Sequence, residues 1–192
     1  MKLHFSVDSA LLGELGERLV EKSYVALAEL IKNAYDADAD TVILEFIPDE
    51  SSPDKIKEIR IKDNGSGMDS DALRNYWMRI ATTIKRKENV SLRYGRPRTG
   101  SKGIGRFACR RLGKHLKLIT ISQSNNSTFQ KISVEFDWSK FKAGSIVTDI
   151  AVEANEERLK SGETGTTLII SDINDQWTQR DFDALRHLFY QI

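Results

Sequence analysis

One stretch of the chain carries an unbroken helical period. Over residues 23–37, Leu27, Leu30, Ile31, Ala34 and Tyr35 recur at the i, i+3, i+4 spacing that gathers side chains on one helix face, and Ser23 is placed to cap the start. Such a face must be buried against something, and the sequence that follows supplies it. Residues 41–47 are rich in β-branched and aromatic side chains, 48–54 carry turn formers, and 56–61 alternate apolar with polar. Further strands are predicted at 116–122, 129–136, 146–152 and 166–171, with a weaker one at 3–8. Helices are predicted at 11–20, 69–79, 104–112 (ended by Gly113) and 180–190. The expectation is an α+β fold, a two-layer sandwich with helices on one face of a mixed, mostly antiparallel sheet.

At 192 residues, 40% hydrophobic and 30% charged, the chain has the size of one compact domain, and no repeat or linker divides residues 1–192. Its single cysteine, Cys109, excludes an internal disulfide framework and a four-cysteine zinc site; it reads as a small buried apolar residue. No run of about 18 apolar residues and no signal-peptide pattern occurs, so a soluble, cytoplasmic protein without a membrane partner is expected. His4, His115 and His187 lack metal-ligand spacing, and Trp77, Trp138 and Trp177 read as core or interface aromatics. Charge is uneven: residues 85–117 hold twelve Lys or Arg against one acid, Glu88, a local +11 that leaves about −10 for the rest of a chain totalling +1. Nucleotide phosphates, nucleic acid or an acidic partner would each suit that stretch.

Three polar motifs narrow the chemistry. On the first helix Glu29, Asn33 and Asp36 lie at i, i+4, i+7, within roughly 60° of one another and opposite the apolar stripe. A carboxylate beside an amide oxygen can hold a water and a hard cation, although a polar helix face is more commonly just solvated. Next, Asp63-Asn64-Gly65-Ser66-Gly67-Met68 follows directly on a predicted strand. The glycines allow close backbone approach to a flat ligand and the carboxylate accepts from an exocyclic amine, while the competing reading is an ordinary Asn-Gly turn. Last, Gly100-Ser101-Lys102-Gly103-Ile104-Gly105-Arg106-Phe107 precedes a predicted helix, where successive amides and two cations would cradle an anion; the alternative is a surface loop. It is not a P-loop, because the Gly-Lys pair of this chain, Gly113-Lys114, continues into His115. The whole 81–105 stretch is polar, basic and glycine-punctuated, and is expected to be a long loop with little apolar area for packing.

In this order, with Gly165-Thr166 on a late strand, the motifs resemble those of the GHKL superfamily of gyrase B subunits, heat-shock chaperone ATPases, sensor histidine kinases and MutL. The matches run from Glu29 to Thr166, and the stretch from Tyr76 to Lys85 is similar to that of MORC-type ATPases. The resemblance implies the α+β sandwich reached above, ATP as substrate and Mg²⁺ as cofactor. By it Glu29 is the general base for the attacking water, Asn33 the magnesium ligand and Asp63 the acceptor for the adenine amine. Asp36 and Ala37 would line or support the pocket, Gly65, Gly67 and Met68 would pack by the base, and Thr166, or Thr167 with the register moved by one, would support Asp63 through a shared water. Gly100, Ser101, Lys102, Gly103, Ile104, Gly105 and Phe107 would belong to a lid over the phosphates, residues 81–105, with Lys85 a further phosphate contact.

Family members commonly continue into a second domain that supplies a cation to the γ-phosphate and dimerise on ATP, so a longer, ATP-dependent homodimeric protein is the expectation here. Histidine kinases lack the glutamate base, and Glu29 therefore favours slow hydrolysis over protein phosphorylation. An ATP-gated nucleic-acid clamp with vestigial hydrolysis is the alternative that the basic stretch supports, and a histidine-kinase-type phosphotransferase is a third.

Overall fold

The computed structural model describes residues 7–12, 14, 22–79, 90–98, 107–125 and 128–189. Six strands form one sheet: β1 (Val42–Asp49), β2 (Ser52–Asp63), β3 (Gly113–Asn125), β4 (Thr128–Asp137), β5 (Ala154–Leu159) and β6 (Gly165–Ile173), in the order β1-β2-β6-β3-β4-β5. Every pairing is antiparallel. The helices are α1 (Ser23–Asp36), the short α2 (Ser70–Ala72), α3 (Ala108–Leu112) and α4 (Gln179–Phe189). α1 packs against both α3 and α4. No described helix is long and apolar enough to cross a membrane.

The two-layer sandwich follows from alternation. Ile59 and Ile61 of β2, Leu168 and Ile170 of β6, Leu116 and Leu118 of β3, and Ile132 and Val134 of β4 are buried in one cluster with Leu27 and Leu30 of α1. Residues between them point the other way, where Lys117 pairs across strands with Glu135 (2.9 Å) and Lys131 with Glu157 (3.4 Å). Cys109 lies in the core with no exposure, and burial pushes its thiol up to about 12, which makes it a packing residue.

Several local expectations are corrected. Ser23 is inside α1, whose N-cap position is Lys22; its hydroxyl donates to Asp175 Oδ2 (2.6 Å), which also accepts from Arg111 Nη2 (2.5 Å) and so links α1, α3 and the approach to α4. Residues 146–152 form no strand: Val147–Asp149 is a 3-10 turn, and the outer strand is β5. Alternation there reports packing, since Val147, Ile150 and Val152 rest on the core, whereas β5 is almost wholly polar and exposed, as an edge strand tolerates. The helix expected at 69–79 gives way after α2 to a π-helical turn, Leu73–Trp77, in which Met78 N–H reaches Leu73 C=O at 2.9 Å. Residues 3–6 and 15–20 lie outside the described residues, and Asp8 forms only an isolated bridge to Ile146.

Candidate functional site

β2 delivers Asp63 to the end of the sheet. Its Oδ1 accepts from Gly65 N–H (2.9 Å) and from Thr166 N–H on neighbouring β6 (3.1 Å). Both bonds fall on one oxygen, and among the described residues Oδ2 takes none. Burial raises the Asp63 carboxyl above its ordinary range, and the two amide bonds only partly offset this. The backbone thus fixes one oxygen of this half-buried carboxylate and, among the described residues, leaves the other open to a further donor.

The residues around it are held by the sheet. Thr166 pairs with Thr120 of β3, their hydroxyl oxygens 3.3 Å apart, and the fully buried Thr120 Oγ1 accepts from Met68 N–H at 2.8 Å. Thr166, not Thr167, meets Asp63 in this register, and the contact is a direct amide bond where a shared water was expected. Gly67 has φ +66°, and a Cβ there would sit 2.0 Å from Ile121 C=O, so the loop can lie on β3 only as glycine. Gly165, which the motif reading left without a role, is equally constrained: a Cβ would come within 2.1 Å of Asp63 C=O.

α1 approaches the same loop with its C-terminal end. Ala37 C=O accepts from Ser66 N–H at 2.8 Å, and Asp36, 6% exposed, is buried beneath. One and two turns back stand Asn33 and Glu29, both half-buried. Glu29 Oε1 is 3.1 Å from Lys32 Nζ, an ion pair along the helix that the motif reading did not include. The amide oxygen of Asn33 is a hard donor of the kind magnesium accepts. Among the described residues no group of three or more His, Cys, Asp or Glu side chains could hold a metal by themselves.

A family model described as histidine kinase-, DNA gyrase B- and HSP90-like ATPase matches residues 21–166. The chain belongs to this family. No match is found among curated proteins. The matched span covers the helix bearing Glu29 and Asn33, the Asp63 loop and Thr166, and membership supports ATP binding by this GHKL domain.

Other expected site residues divide into two groups. Lys85, Gly100, Ser101, Lys102, Gly103, Ile104 and Gly105 lie outside the described residues. Phe107, grouped with them by the glycine motif, is 3% exposed and belongs to the hydrophobic cluster, where it fixes the start of α3. Within the 81–105 stretch the described residues 90–98 are mostly exposed, as a loop with little apolar area should be, but they are tied by hydrogen bonds: Asp38, missed by motif reading, accepts from the Ser91 hydroxyl and from Arg93 N–H (2.7 Å). A cleft of about 520 Å³ opens between Arg111, Lys114, Trp138 and Asn174, but at the opposite end of β3 and β6. Its Arg111 is paired with Asp175 and its Lys114 with Asp172 (3.1 Å), and no carboxylate lines it as an adenine acceptor comparable to Asp63.

Proposed function

We propose that this GHKL domain binds ATP with magnesium and hydrolyses it slowly, using closure of the 81–105 stretch and dimerisation to drive conformational change in a larger protein. The observation that carries the reading is the Asp63 carboxylate, tied through Oδ1 to Gly65 and Thr166 and leaving Oδ2 for the adenine amine. Asn33 would hold magnesium, which when bound neutralises phosphate charge. Glu29, one turn earlier on α1, would orient and deprotonate the attacking water once Lys32 yields its place or turns to the phosphates. Asp36 and Ala37 would shape the pocket wall, and Met68 would pack against the base.

The basic stretch that supports the nucleic-acid alternative is partly paired within the fold: of its twelve Lys and Arg, Arg96 meets Asp40, Arg111 Asp175, Lys114 Asp172 and Lys117 Glu135.

Calorimetric titration of the full chain with ATP and with GTP tests the assignment. Guanine presents a carbonyl where adenine presents its amine, and opposing that carbonyl to a buried carboxylate costs about 1–3 kcal/mol, so GTP should bind roughly ten- to a hundredfold more weakly. Equal affinities would remove Asp63 as the base-reading group.

A further inference from the structure

α1 ends in a reversal that its own residue does not favour. Asp38 N–H donates to Tyr35 C=O and Ala39 N–H to Ala34 C=O, both at 3.0 Å, which is the Schellman closure of a helix. The left-handed position of that closure, φ +63°, is held by Asp38, where glycine or asparagine is the usual occupant. The carboxylate explains the choice. Only 4% exposed, it accepts from the Ser91 hydroxyl and Tyr94 N–H (3.3 Å) through Oδ1 and from Arg93 N–H (2.7 Å) through Oδ2. Arg96 completes the clasp. It donates to Ala39 C=O (2.6 Å) and Asp40 Oδ1 (3.3 Å), with its guanidinium 4.9 Å from the Tyr35 ring centroid and 4.7 Å from that of Tyr94.

The other side of the same turn holds the Asp63 loop. Ala37 C=O accepts from Ser66 N–H (2.8 Å), and Asn64 Oδ1 accepts from Asp40 N–H (2.8 Å) and Thr41 N–H (2.9 Å). Residues 37–41 thus stand between the loop that would read adenine and the loop at 90–98, each attached by several hydrogen bonds. A ligand that stiffens one attachment raises the cost of opening the other, because both require the turn to keep one shape.

We propose that Asp38 is a positioning residue that couples the order of loop 90–98 to nucleotide occupancy through the turn at 37–41. This rests on the reading of Asp63 as the adenine acceptor. Substituting a residue that served folding alone would leave the nucleotide response of loop 90–98 in place.

Amide hydrogen exchange on the full chain, with and without ADP, separates the two. In the parent, ADP should slow exchange at Gly65 and Ser66 and also at Arg93 and Tyr94. Asp38→Gly keeps the helix closure but removes the carboxylate. Arg93 and Tyr94 should then exchange at least about tenfold faster and ignore ADP, while Gly65 and Ser66 still respond. Asp38→Asn keeps the left-handed preference and one acceptor oxygen, so it should restore part of the response and serves if the glycine variant folds poorly. Protection by ADP at Gly65 but not at Arg93 or Tyr94 in the parent would overturn the coupling and leave the adenine site standing. Continued ADP response at Arg93 and Tyr94 in Asp38→Gly would remove Asp38 from that role. No ADP effect at any of the four amides would overturn both.

Discussion

Asp63 and Glu29 are assigned to opposite ends of one nucleotide, so their loss should have different consequences. Asp63→Asn puts an amide donor against the adenine amine, a mismatch of about 1–3 kcal/mol, and ATP affinity should fall roughly ten- to a hundredfold. Glu29→Ala leaves that contact alone; binding should persist while turnover drops by about 10² to 10⁴. Titration and steady-state hydrolysis on folded variants would distinguish them, and full activity in Glu29→Ala would end its role as base. Asp63 also sets a pH dependence. Burial raises its carboxyl, with the Gly65 and Thr166 amides pulling the other way. The folded chain therefore keeps this proton to a higher pH than the unfolded chain, and as pH rises from the ordinary carboxylate value through the folded one this group removes stability. Adenine binding favours the ionised form, so ADP affinity should weaken as pH falls through the folded Asp63 value, and that dependence should vanish in Asp63→Asn. Asp38 does not confuse the test. Burial opposes its ionisation too, but Ser91, the amides of Arg93 and Tyr94, and the Arg96 charge together hold it below the ordinary range. Its contribution is present above the unfolded value and is lost only in more acid solution.

At the scale of elements, the Asp63 loop is shaped by what it lies on. Gly67 places its backbone against Ile121 on β3, and Met68 N–H is anchored to Thr120. Gly67→Ala would meet Ile121 C=O and adopt a left-handed backbone that costs on the order of 1–2 kcal/mol before any clash. The loop should lift from β3, lowering the midpoint of chemical denaturation and weakening ATP binding together; parent-like values for both would show that the loop can move freely. The motif reading identified this loop because Asp-x-Gly-x-Gly has a local backbone requirement. It missed Thr120 and left Gly165 without a role because their importance arises only when β3 and β6 pair beside β2. It also assigned a strand to 146–152 because a loop resting on a core shows the same alternation as a strand.

For the molecule as a whole, one antiparallel sheet with its helices packed on one face brings the C-terminal end of α1 against the loop at the end of β2. The residues proposed as general base and magnesium ligand then come from α1, and the one proposed as adenine acceptor from the end of β2. If a second domain and a second subunit complete the phosphate end, the isolated domain should turn over slowly, with specific activity rising as protein concentration is raised. Hydrolysis measured over a dilution series checks this; turnover of about tens per second, within the usual enzyme range and independent of concentration, would contradict it. The paired arginines and lysines of the basic stretch belong to this scale as well. Read along the chain they form a cation-rich run, yet in the fold their partners are Asp40, Asp172, Asp175 and Glu135.

The sequence by itself determined the helix α1, most of the strands and the family, because each depends on periodicity or on motifs whose residues are near neighbours in the chain; it did not place Asp36, which lies opposite the predicted apolar stripe yet is 6% exposed, while Ile31 and Tyr35 of that stripe are half-buried. The turn after Asp63 with its glycines, and the placing of Glu29 and Asn33 one turn apart on one helix, were legible for the same reason. Tertiary structure alone decided that Thr120 and Thr166 share one row of the sheet, that Ser23 and Arg111 meet at Asp175, and that Asp38 holds Ser91 and Arg93 across more than fifty positions of chain. Hydrogen bonds over such separations leave no periodic trace, since nothing in an isolated serine or aspartate says which distant donor the folded backbone will place beside it.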